Sequence, residues 1–313
     1  MATYLVTGAG GFIGSALVRA LLERGQSVRG LDNFATGKRE NLAEVLSRVD
    51  FREADLLDPA ALAEACRGVD FILHQAAIPS VPKSITDPVT SHRVNADGTL
   101  ALLIAARDAK VKRVVYASSS AVYGDSPTLP KHEAMPPNPI SPYAVSKLTG
   151  EMYAISFYRV YGLETVALRY FNIFGPRQDA NSEYSAVLAK FISRMLAGQQ
   201  PTIFGDGQQS RDFTYIDNPV QANLLACEAP APEVAGRVFN IATGLRSNLN
   251  QTYSLLQKLT GYSGPAHFAP ERAGDIKHSL ADISLAQKHL GYNVQVDFEE
   301  GLRRTVEWYR EQR

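Results

Sequence analysis

The sequence predicts an α/β fold in which a doubly wound parallel sheet carries a smaller C-terminal lobe. Short apolar runs alternate with segments of helical spacing through the first half of the chain. Strands that alternate with helices form right-handed βαβ units and hence a parallel sheet. The predicted strands are 3–7, 27–31, 51–53, 71–74, 113–117 and 165–169, and the predicted helices are 12–24, 60–65, 94–109 and 142 to about 161.

The regular alternation ends near Phe174, where glycine, proline and loop-like segments become more frequent. We therefore expect a first domain over residues 1–172 and a smaller lobe over residues 173–211 and 243–313. A return segment at about 212–242 is assigned to the first domain, because the apolar run at its end can add a further strand to the first sheet.

Composition and charge argue against several classes of function. The 313 residues are 45% hydrophobic and 20% charged, which is ordinary for a globular chain with a sizeable core. A formal net charge of +0 without a long basic block argues against a nucleic-acid-binding surface. The cysteines Cys66 and Cys227 cannot form a disulfide framework, and we recognise neither a signal peptide nor a membrane span, so we expect a cytoplasmic protein. Because the six histidines lack metal-binding spacing, we expect no metal site.

A glycine-rich turn separates the first predicted strand from the first predicted helix. Gly8, Gly11 and Gly14 form G-x-x-G-x-x-G, in the context in which a dinucleotide pyrophosphate is bound. The glycines allow a tight turn, close approach to the phosphates and packing of the helix on the strand. Phe12 and Ile13 open the helix, whose unpaired N–H groups then face the phosphates. The segment predicts a Rossmann-type sheet, although a tight turn without a ligand would carry the same glycines.

Acidic residues follow the second and third predicted strands. Asp32 ends the second strand, where a carboxylate about 20 residues after the glycine turn accepts hydrogen bonds from the ribose hydroxyls of adenosine. Such a carboxylate repels a 2′-phosphate, so it favours NAD over NADP. Asp55 and Leu56 follow the third strand, from which an acid can reach the adenine edge. The alternative for both acids is an ordinary turn residue.

Tyr143 and Lys147 form Y-x-x-x-K at the start of a predicted helix, so both side chains lie on one face. A free tyrosine has a pKa of about 10 and is rarely ionised at neutral pH. An adjacent ammonium and a nicotinamide cation favour the phenolate, which makes Tyr143 a candidate general base. Surface helices often carry the same spacing by chance. The catalytic interpretation gains weight from Ser118, Ser119 and Ser120, which follow the fifth strand at the edge where such sheets bind ligands.

Several motifs together resemble the extended short-chain dehydrogenases, and in particular the UDP-glucose and UDP-N-acetylglucosamine 4-epimerases. They are TGAGGFIG at 7–14, LDN at 31–33, HQAA at 74–77, AVYG at 121–124, SPYAVSK at 141–147, RYFNIFGP at 169–176, GDGQQSRDF at 205–213 and RAGDI at 272–276. The resemblance covers nearly the whole chain and implies an NAD-binding first domain and a lobe that binds a nucleotide sugar. One departure is Pro219 in place of the valine of the usual D-N-V or D-D-V, and it puts little in doubt because proline starts a helix well.

The resemblance also implies roles for individual residues. Ser119 is the catalytic hydroxyl, with Ser120 as the fallback, and Tyr143 and Lys147 form the base pair. The residues implied for the cofactor are Gly8, Gly11, Phe12, Ile13, Gly14, Asp32, Asn33, Gly37, Asp55, Leu56, Gln75, Ala76, Ala77, Asn95, Ser118, Tyr143, Lys147 and Tyr170. The residues implied for the substrate are Ser80, Val81, Lys83, Ser119, Tyr143, Asn172, Val187, Leu188, Phe204, Gln209, Arg211, Arg272, Asp275 and Ser279.

The reaction implied by the resemblance is inversion at C4 of a UDP-sugar through a 4-keto intermediate. Dehydratases and decarboxylases of the family carry additional acids where this chain has Ser120 and Ala121, which favours epimerisation. The small side chain of Ser279 leaves room for an N-acetyl group, so we expect UDP-GlcNAc and UDP-GalNAc as substrates together with UDP-Glc and UDP-Gal. The alternatives are a UDP-glucuronate-type epimerase or decarboxylase, a 4-reductase, and a non-catalytic NAD-binding regulator or scaffold.

The resemblance further implies a homodimer in which the helices 94–109 and 143–161 pair with their copies in a four-helix bundle. Apolar stretches at 100–106 and 152–157 are compatible with such an interface. The alternative is that these stretches are buried within one subunit.

Overall fold

The computed structural model describes residues 1–180, 187–271 and 277–312. Its strands are β1 Thr3–Thr7, β2 Ser27–Asp32, β3 Asp50–Glu53, β4 Phe71–His74, β5 Arg113–Ser119, β6 Glu164–Tyr170, β7 Ile173–Phe174, β8 Thr202–Phe204, β9 Ser210–Arg211, β10 Thr214–Tyr215, β11 Arg237–Ile241, β12 Ser247–Asn248 and β13 His267–Ala269. Its α-helices are α1 Phe12–Glu23, α2 Pro59–Cys66, α3 Val81–Thr86, α4 Pro88–His92, α5 Gly98–Asp108, α6 Pro142–Tyr161, α7 Val187–Leu196, α8 Asp217–Glu228, α9 Ala231–Val234, α10 Leu249–Thr260, α11 Ser284–Leu290 and α12 Phe298–Glu311.

The described residues form a seven-stranded sheet in the order β11-β6-β5-β4-β1-β2-β3, and every pairing in it is parallel. The chain runs outward from β1 through β2 to β3, and then returns to the other side of β1 to add β4, β5 and β6. The strand order therefore reverses between β1 and β4, and a doubly wound sheet has its ligand crevice at such a point. The predicted fold class is confirmed, and the late apolar run supplies β11 beside β6.

The two faces of the sheet are covered by different helices because neighbouring strand residues point in opposite directions. Val6 and Val115 pack in one apolar cluster with α1, α8 and α11. Leu5 and Val114, each one residue earlier, pack in a second cluster with α2 and α5. A third cluster lies in the C-terminal part and joins α7, α10 and α12. The sheet is thus buried on both faces, and its carboxyl edge holds the polar residues described below.

Side-chain caps fix the ends of the helices nearest that edge. The carboxylate of Asp58 accepts hydrogen bonds from the backbone N–H groups of Ala60 and Ala61, with Pro59 at the first helical position. Ser141 caps α6 in the same way, and Gly162 ends α6 in the left-handed conformation that glycine adopts without strain.

Two predicted elements have different bounds in the structure. β5 continues to Ser119 rather than ending at Ala117, so Ser118 and Ser119 lie within the strand. The helix predicted over 94–109 is interrupted, because a π-helical turn at Arg93–Asp97 precedes α5. No helix in the described residues combines the length and apolarity of a membrane span. In the same parts of the chain, His, Cys, Asp and Glu side chains form no group of three that could hold a metal ion.

A buried arginine ties the opposite edge of the sheet together. Arg113, at the start of β5, binds the carboxylate of Glu164 at 2.6 Å and 2.8 Å. Its remaining nitrogen donates to the backbone carbonyls of Ala226, Cys227 and Ala229 at the end of α8. These are carbonyls that the last turn of a helix leaves without partners, so the guanidinium closes the junction between α8 and the sheet.

We predict that Arg113→Met lowers the free energy of unfolding by about 3 kcal/mol, because it leaves three carbonyls and a half-buried carboxylate without their donor. Urea unfolding of the variant and the wild type measures this difference. The matched control is Arg24→Met, which removes an exposed pair with Glu228 and should change stability by less than about 0.5 kcal/mol. Equal losses in the two variants would contradict the assignment.

Candidate functional site

The glycine turn at the end of β1 forms the floor of the crevice. Gly8 has a φ of +68°, and a Cβ at this position would lie 2.7 Å from the backbone nitrogen of Ala76. A Cβ on Gly14 would lie 2.0 Å from the carbonyl oxygen of Gly8, so only glycine lets α1 approach the turn this closely. No described side chain caps α1 at Gly11. The N–H groups of its first turn therefore fit the pyrophosphate of a dinucleotide.

The side chains of Phe12 and Ile13 point away from this cradle and pack against the apolar clusters. What these two residues offer a phosphate is therefore the backbone N–H groups at the start of α1.

Asp32 lies at the end of β2 beside the glycine turn. Its carboxylate accepts hydrogen bonds from the backbone N–H groups of Gly10 at 2.8 Å and Phe34 at 2.7 Å. Burial raises the pKa of Asp32, while these backbone donors act in the opposite direction. A Cβ on Gly37 would lie 2.9 Å from the same carboxylate, so this glycine keeps the space beside it open. The carboxylate retains accepting capacity for a ribose.

Asn33 and Asp55 lie together at the neighbouring strand ends. The Asn33 amide donates to the Asp55 carboxylate at 2.8 Å, and the other Asp55 oxygen accepts from the backbone N–H of Leu57. The side chain of Leu56 is buried in the second apolar cluster, where it lies against Gly98. Only the backbone of Leu56 is available to a ligand.

A closed polar cluster lies where β4 and β6 end. Gln75 donates to Asn223 at 3.1 Å, Asn223 donates to the Tyr170 hydroxyl at 2.7 Å, and that hydroxyl donates to Gln75 at 3.3 Å. Burial raises the pKa of Tyr170 to about 12, so the phenol stays neutral. The predicted residues Gln75 and Tyr170 are thus brought together. Ala76 and Ala77 follow in partly exposed positions along the crevice.

Asn95 does not offer its side chain to the crevice, which corrects its predicted contact with the cofactor. It lies in the π-helical turn, and its amide oxygen accepts from the backbone N–H of Ile78 at 2.8 Å. The amide nitrogen donates to the Ile78 carbonyl and to the Ser146 hydroxyl. Asn95 therefore fastens the loop after β4 to α6.

Tyr143, Lys147 and Ser119 meet at the carboxyl end of β5. The Ser119 hydroxyl is near enough to the Tyr143 phenol to lower the pKa of that phenol. The buried Lys147 ammonium donates to the Ala117 carbonyl at 2.8 Å. Ser120 follows in a 3-10 turn and is partly exposed. The predicted pair therefore lies on one face of α6, directed at the end of the strand, with Ser119 beside the phenol.

The electrostatics of the pair differ from the sequence-based expectation. In the protein alone, burial raises the pKa of Tyr143, and its hydrogen bond with Ser119 only partly opposes this. Burial also lowers the pKa of Lys147 to about 7. The lysine therefore does not lower the phenol pKa by itself. Instead, burial moves the two pKa values apart, so that near neutral pH an uncharged amine lies beside an uncharged phenol and can accept the phenol proton.

Ser118 is predicted to contact the cofactor, and the structure leaves only its backbone for such a contact. Its hydroxyl is buried and donates to the Glu151 carboxylate at 2.7 Å. Glu151 is in turn held by Arg169 at 2.6 Å and 3.0 Å. The reason is the additional length of β5, since side-chain alternation turns Ser118 toward the interior.

Asn172 and Ser279 lie together on the far side of the crevice. The Asn172 amide donates to the Ser279 hydroxyl at 3.1 Å and to the Asp212 carbonyl at 3.0 Å. The Asp212 carboxylate accepts from the backbone N–H groups of Thr243, Gly244 and Ala281. Through these contacts Asp212 joins the segments that contain Asn172, Thr243 and Ser279, which together form this wall of the crevice.

The remaining predicted substrate residues have varied surroundings. The Arg211 guanidinium donates to the carbonyls of Ser210 and Lys277 and is half-buried. Gln209 donates to the carbonyl of Phe204. Leu188 is buried in the third apolar cluster, so its side chain is not available to a substrate, whereas Val187 is only partly buried.

On the other side of the crevice, the hydroxyl of Ser80 caps α3 by accepting from the backbone N–H of Lys83, and its own O–H remains able to donate. Val81 and the Lys83 side chain are partly exposed. Arg272 and Asp275 lie outside the described residues.

Several residues near the site were not identified from the sequence. Ser84 accepts a hydrogen bond from the Tyr143 backbone N–H at 3.0 Å, and Asn223 closes the cluster with Gln75. These contacts are tertiary, and the sequence pattern carries no signal for them. Glu151 was identifiable, because it lies four residues after Lys147 on the same helix face.

The comparisons with known proteins agree with this geometry. Residues 4–242 match the family described as the NAD dependent epimerase/dehydratase family. A UDP-glucose 4-epimerase of Mycolicibacterium smegmatis is 40% identical over 312 residues, which cover 98% of each chain. The solved structure of a UDP-N-acetylglucosamine 4-epimerase from Methanobrevibacter ruminantium in complex with UDP-N-acetylmuramic acid is 42% identical, with a TM-score of 0.95 and coverage of 100% of this chain and 99% of that chain.

A further solved structure is that of a Thermus thermophilus UDP-glucose 4-epimerase in complex with NAD. It is 38% identical with a TM-score of 0.89, and the match covers 98% of this chain and 99% of that chain. The resemblance drawn from the motifs is therefore confirmed. The chain belongs to the NAD-dependent epimerase/dehydratase family and is an enzyme whose cofactor is NAD.

Proposed function

We propose that the protein is a UDP-sugar 4-epimerase that interconverts UDP-GlcNAc with UDP-GalNAc and UDP-Glc with UDP-Gal through a 4-keto sugar. The observation that carries the proposal is the group formed by Tyr143, Ser119 and Lys147 at the mouth of the glycine-turn crevice. A phenol, a hydroxyl and an amine in one place can hold a sugar hydroxyl and move its proton. The similar 4-epimerases of both sugar types support the same assignment.

The chain itself supplies binding and proton transfer. Tyr143 passes its own proton to the uncharged Lys147 amine and takes the proton of the C4 hydroxyl, Ser119 holds the same oxygen, and the Lys147 ammonium that forms compensates the phenolate charge. When bound, NAD would supply the redox chemistry, as the acceptor and donor of the hydride on C4 of the sugar. Tyr143 then returns its proton to the oxygen of the inverted sugar, so the protein ends each cycle in its starting protonation state.

The cofactor would be held along the crevice between β1 and β4. The glycine turn and the first turn of α1 would hold the pyrophosphate, and Asp32 would accept from the ribose. Asn33 and Asp55 would line the adenine side, while Gln75 and Tyr170 would line the nicotinamide side. The fit is supported by the glycine positions, because a Cβ at Gly8 or Gly14 would collide with backbone atoms.

We assign the substrate to the lobe formed by residues 173–211 and 243–313, opposite the NAD-binding residues 1–172 and their return segment at about 212–242. Arg211 would bind the diphosphate, and the family resemblance adds Arg272 for the diphosphate and Asp275 for the uridine ribose. Asn172 would contact the diphosphate or the sugar. Acceptance of N-acetylated sugars is supported by the small side chain of Ser279 beside Asn172.

A homodimer is the assembly that we propose. Exposed apolar side chains lie on α5 and α6 at Ile104, Val145, Met152, Val160 and Tyr161. Apolar residues grouped on two neighbouring helices suit a symmetric four-helix interface. We also propose a cytoplasmic location, which is supported by the two buried thiols Cys66 and Cys227, both free.

Tyr143→Phe should lower kcat by about a thousandfold because it removes the general base. The assay follows UDP-Glc and UDP-GlcNAc side by side, without added cofactor, and measures the isomers formed. Bound NAD, released by denaturing the protein, should stay at the wild-type level. The matched control is Tyr158→Phe at the opposite end of α6, which should leave the rate unchanged. Undiminished turnover in the Tyr143 variant would refute the assignment.

The pH dependence should report the coupled pair. Because burial lowers the pKa of Lys147 to about 7 and raises that of Tyr143, the pair loses its first proton near neutrality. The uncharged Lys147 amine can then take the phenol proton while the phenol takes that of the sugar, so kcat/KM should rise as the pH increases through about 7. In Lys147→Met the remaining phenol has a pKa above its ordinary 10.0, and the rising limb should move to alkaline pH. If the rise of kcat/KM stayed near neutral pH in Lys147→Met, Lys147 would be excluded as the proton partner of Tyr143.

Ser279→Tyr should separate the two sugar types. A phenol ring added beside Asn172 would occupy the space that we assign to the N-acetyl group. We expect kcat/KM for UDP-GlcNAc to fall about tenfold or more, while that for UDP-Glc stays within about threefold. Activity on UDP-Glc serves as the control for folding. A parallel loss on both substrates would argue against this position as the determinant of sugar size.

A further inference from the structure

Three side chains on one face of α6 contact three successive residues of β5. Lys147 donates to the Ala117 carbonyl at 2.8 Å, and the Ser118 hydroxyl donates to Glu151 at 2.7 Å. The Ser119 hydroxyl lies near the Tyr143 phenol and lowers the pKa of that phenol. Tyr143, Lys147 and Glu151 are spaced by four residues, which aligns them along the helix. The last three residues of β5 are therefore each in contact with a side chain of α6.

Glu151 is completely buried, and a buried carboxylate is costly unless it is paired. Arg169 on β6 supplies the pairing through two hydrogen bonds of 2.6 Å and 3.0 Å. The guanidinium lies 4.6 Å from the ring centroid of Tyr123, whose hydroxyl donates to Asn240 on β11. The acceptor for Ser118 is therefore fixed by contacts from two further strands of the sheet.

We propose that Ser118 and Glu151 are positioning residues for the epimerisation reaction, which hold the end of β5 in place for Ser119 and Lys147. The inference rests on the proposed function, because its predicted changes in kcat are changes in epimerase turnover. The Ser118 hydroxyl is directed into the interior, toward Glu151, and not into the crevice. It acts through its neighbours, because Ala117 provides the carbonyl that orients the ammonium and Ser119 provides the hydroxyl beside the phenol.

An equivalent contact at the other end of α6 gives a matched comparison. Thr165 on β6 donates its hydroxyl to the Ala154 carbonyl of α6 at 2.7 Å and is buried. This bond also joins α6 to a central strand, but it lies far along the helix from Tyr143. If the two hydrogen bonds contributed only to stability, their removal would have similar consequences.

The test compares Ser118→Ala with Thr165→Val in the NAD-loaded protein. Ser118→Ala keeps the Glu151–Arg169 pair and removes only the hydroxyl. We expect kcat to fall about tenfold or more, because small displacements of catalytic groups are expensive, with the KM for the UDP-sugar within about twofold. Thr165→Val should leave kcat unchanged. Ser118→Cys, which keeps a weak donor of similar size, should recover part of the loss.

A second readout does not depend on turnover. The readout is the NMR titration of Lys147 in protein labelled with ¹³C at the lysine ε-carbon. The Lys147 signal is assigned by its loss in Lys147→Arg. In the wild type it should titrate near pH 7. In Ser118→Ala the midpoint should move upward toward the ordinary lysine range, because a loosened strand end admits water to the ammonium. Thr165→Val should leave it in place.

The outcomes separate the two claims. An inactive wild type would refute the proposed function, and the titration would still judge the positioning role. A Ser118→Ala variant whose kcat lies within about twofold of the wild type, or whose Lys147 titration does not move, would overturn the inference. Equal losses of kcat and melting temperature in Ser118→Ala and Thr165→Val would also overturn it, since a stabilising role alone would explain them.

Discussion

The contact between α6 and the end of β5 is the interaction on which the rest of the site depends. It buries an ammonium and a carboxylate, Lys147 and Glu151, on one helix face against a central strand. Buried charges are tolerated only where donors and acceptors are fixed in place, and here β5 and Arg169 provide them. The cost of burial lowers the pKa of the Lys147 amine and raises that of the Tyr143 phenol, so the packing sets the proton affinities that the proposed chemistry uses.

The position of this contact follows from the topology of the sheet. β1 and β4 are neighbours at the point where the strand order reverses, and β5 is adjacent to β4. The glycine turn after β1 and the catalytic group after β5 therefore open into the same crevice. Gly8 and Gly14 let the turn and the start of α1 pack closely, since a Cβ at either position would collide with backbone atoms.

Much of the fold was predictable because it depends on local signals. Apolar runs predicted the strands of the main sheet. Asp58 and the proline after it are suited to the start of a helix, and Asp58 caps α2. The Y-x-x-x-K spacing identified the catalytic face of α6, because the four-residue repeat of a helix depends only on the chain itself. The family motifs added the cofactor, which local patterns alone left open.

The contacts that the sequence did not predict have a common cause, which is that side-chain direction and pairing depend on distant parts of the chain. Two more residues in β5 turned Ser118 inward to a glutamate 33 positions away. The Asn95 amide is hydrogen-bonded to Ile78 and Ser146 instead of facing the crevice. Leu188 packs in the apolar core of the second lobe. Asn223 was not recognised because its contact with Gln75 spans 148 positions.

The most direct measurement of the central claim uses UDP-glucose that carries deuterium at C4, incubated with the purified protein in ordinary water. A hydride that leaves C4 and returns to it within one closed site keeps its label, so the UDP-galactose formed should retain deuterium at C4. Product that has exchanged the label for solvent hydrogen, or a sugar that is not inverted at all, would contradict the account.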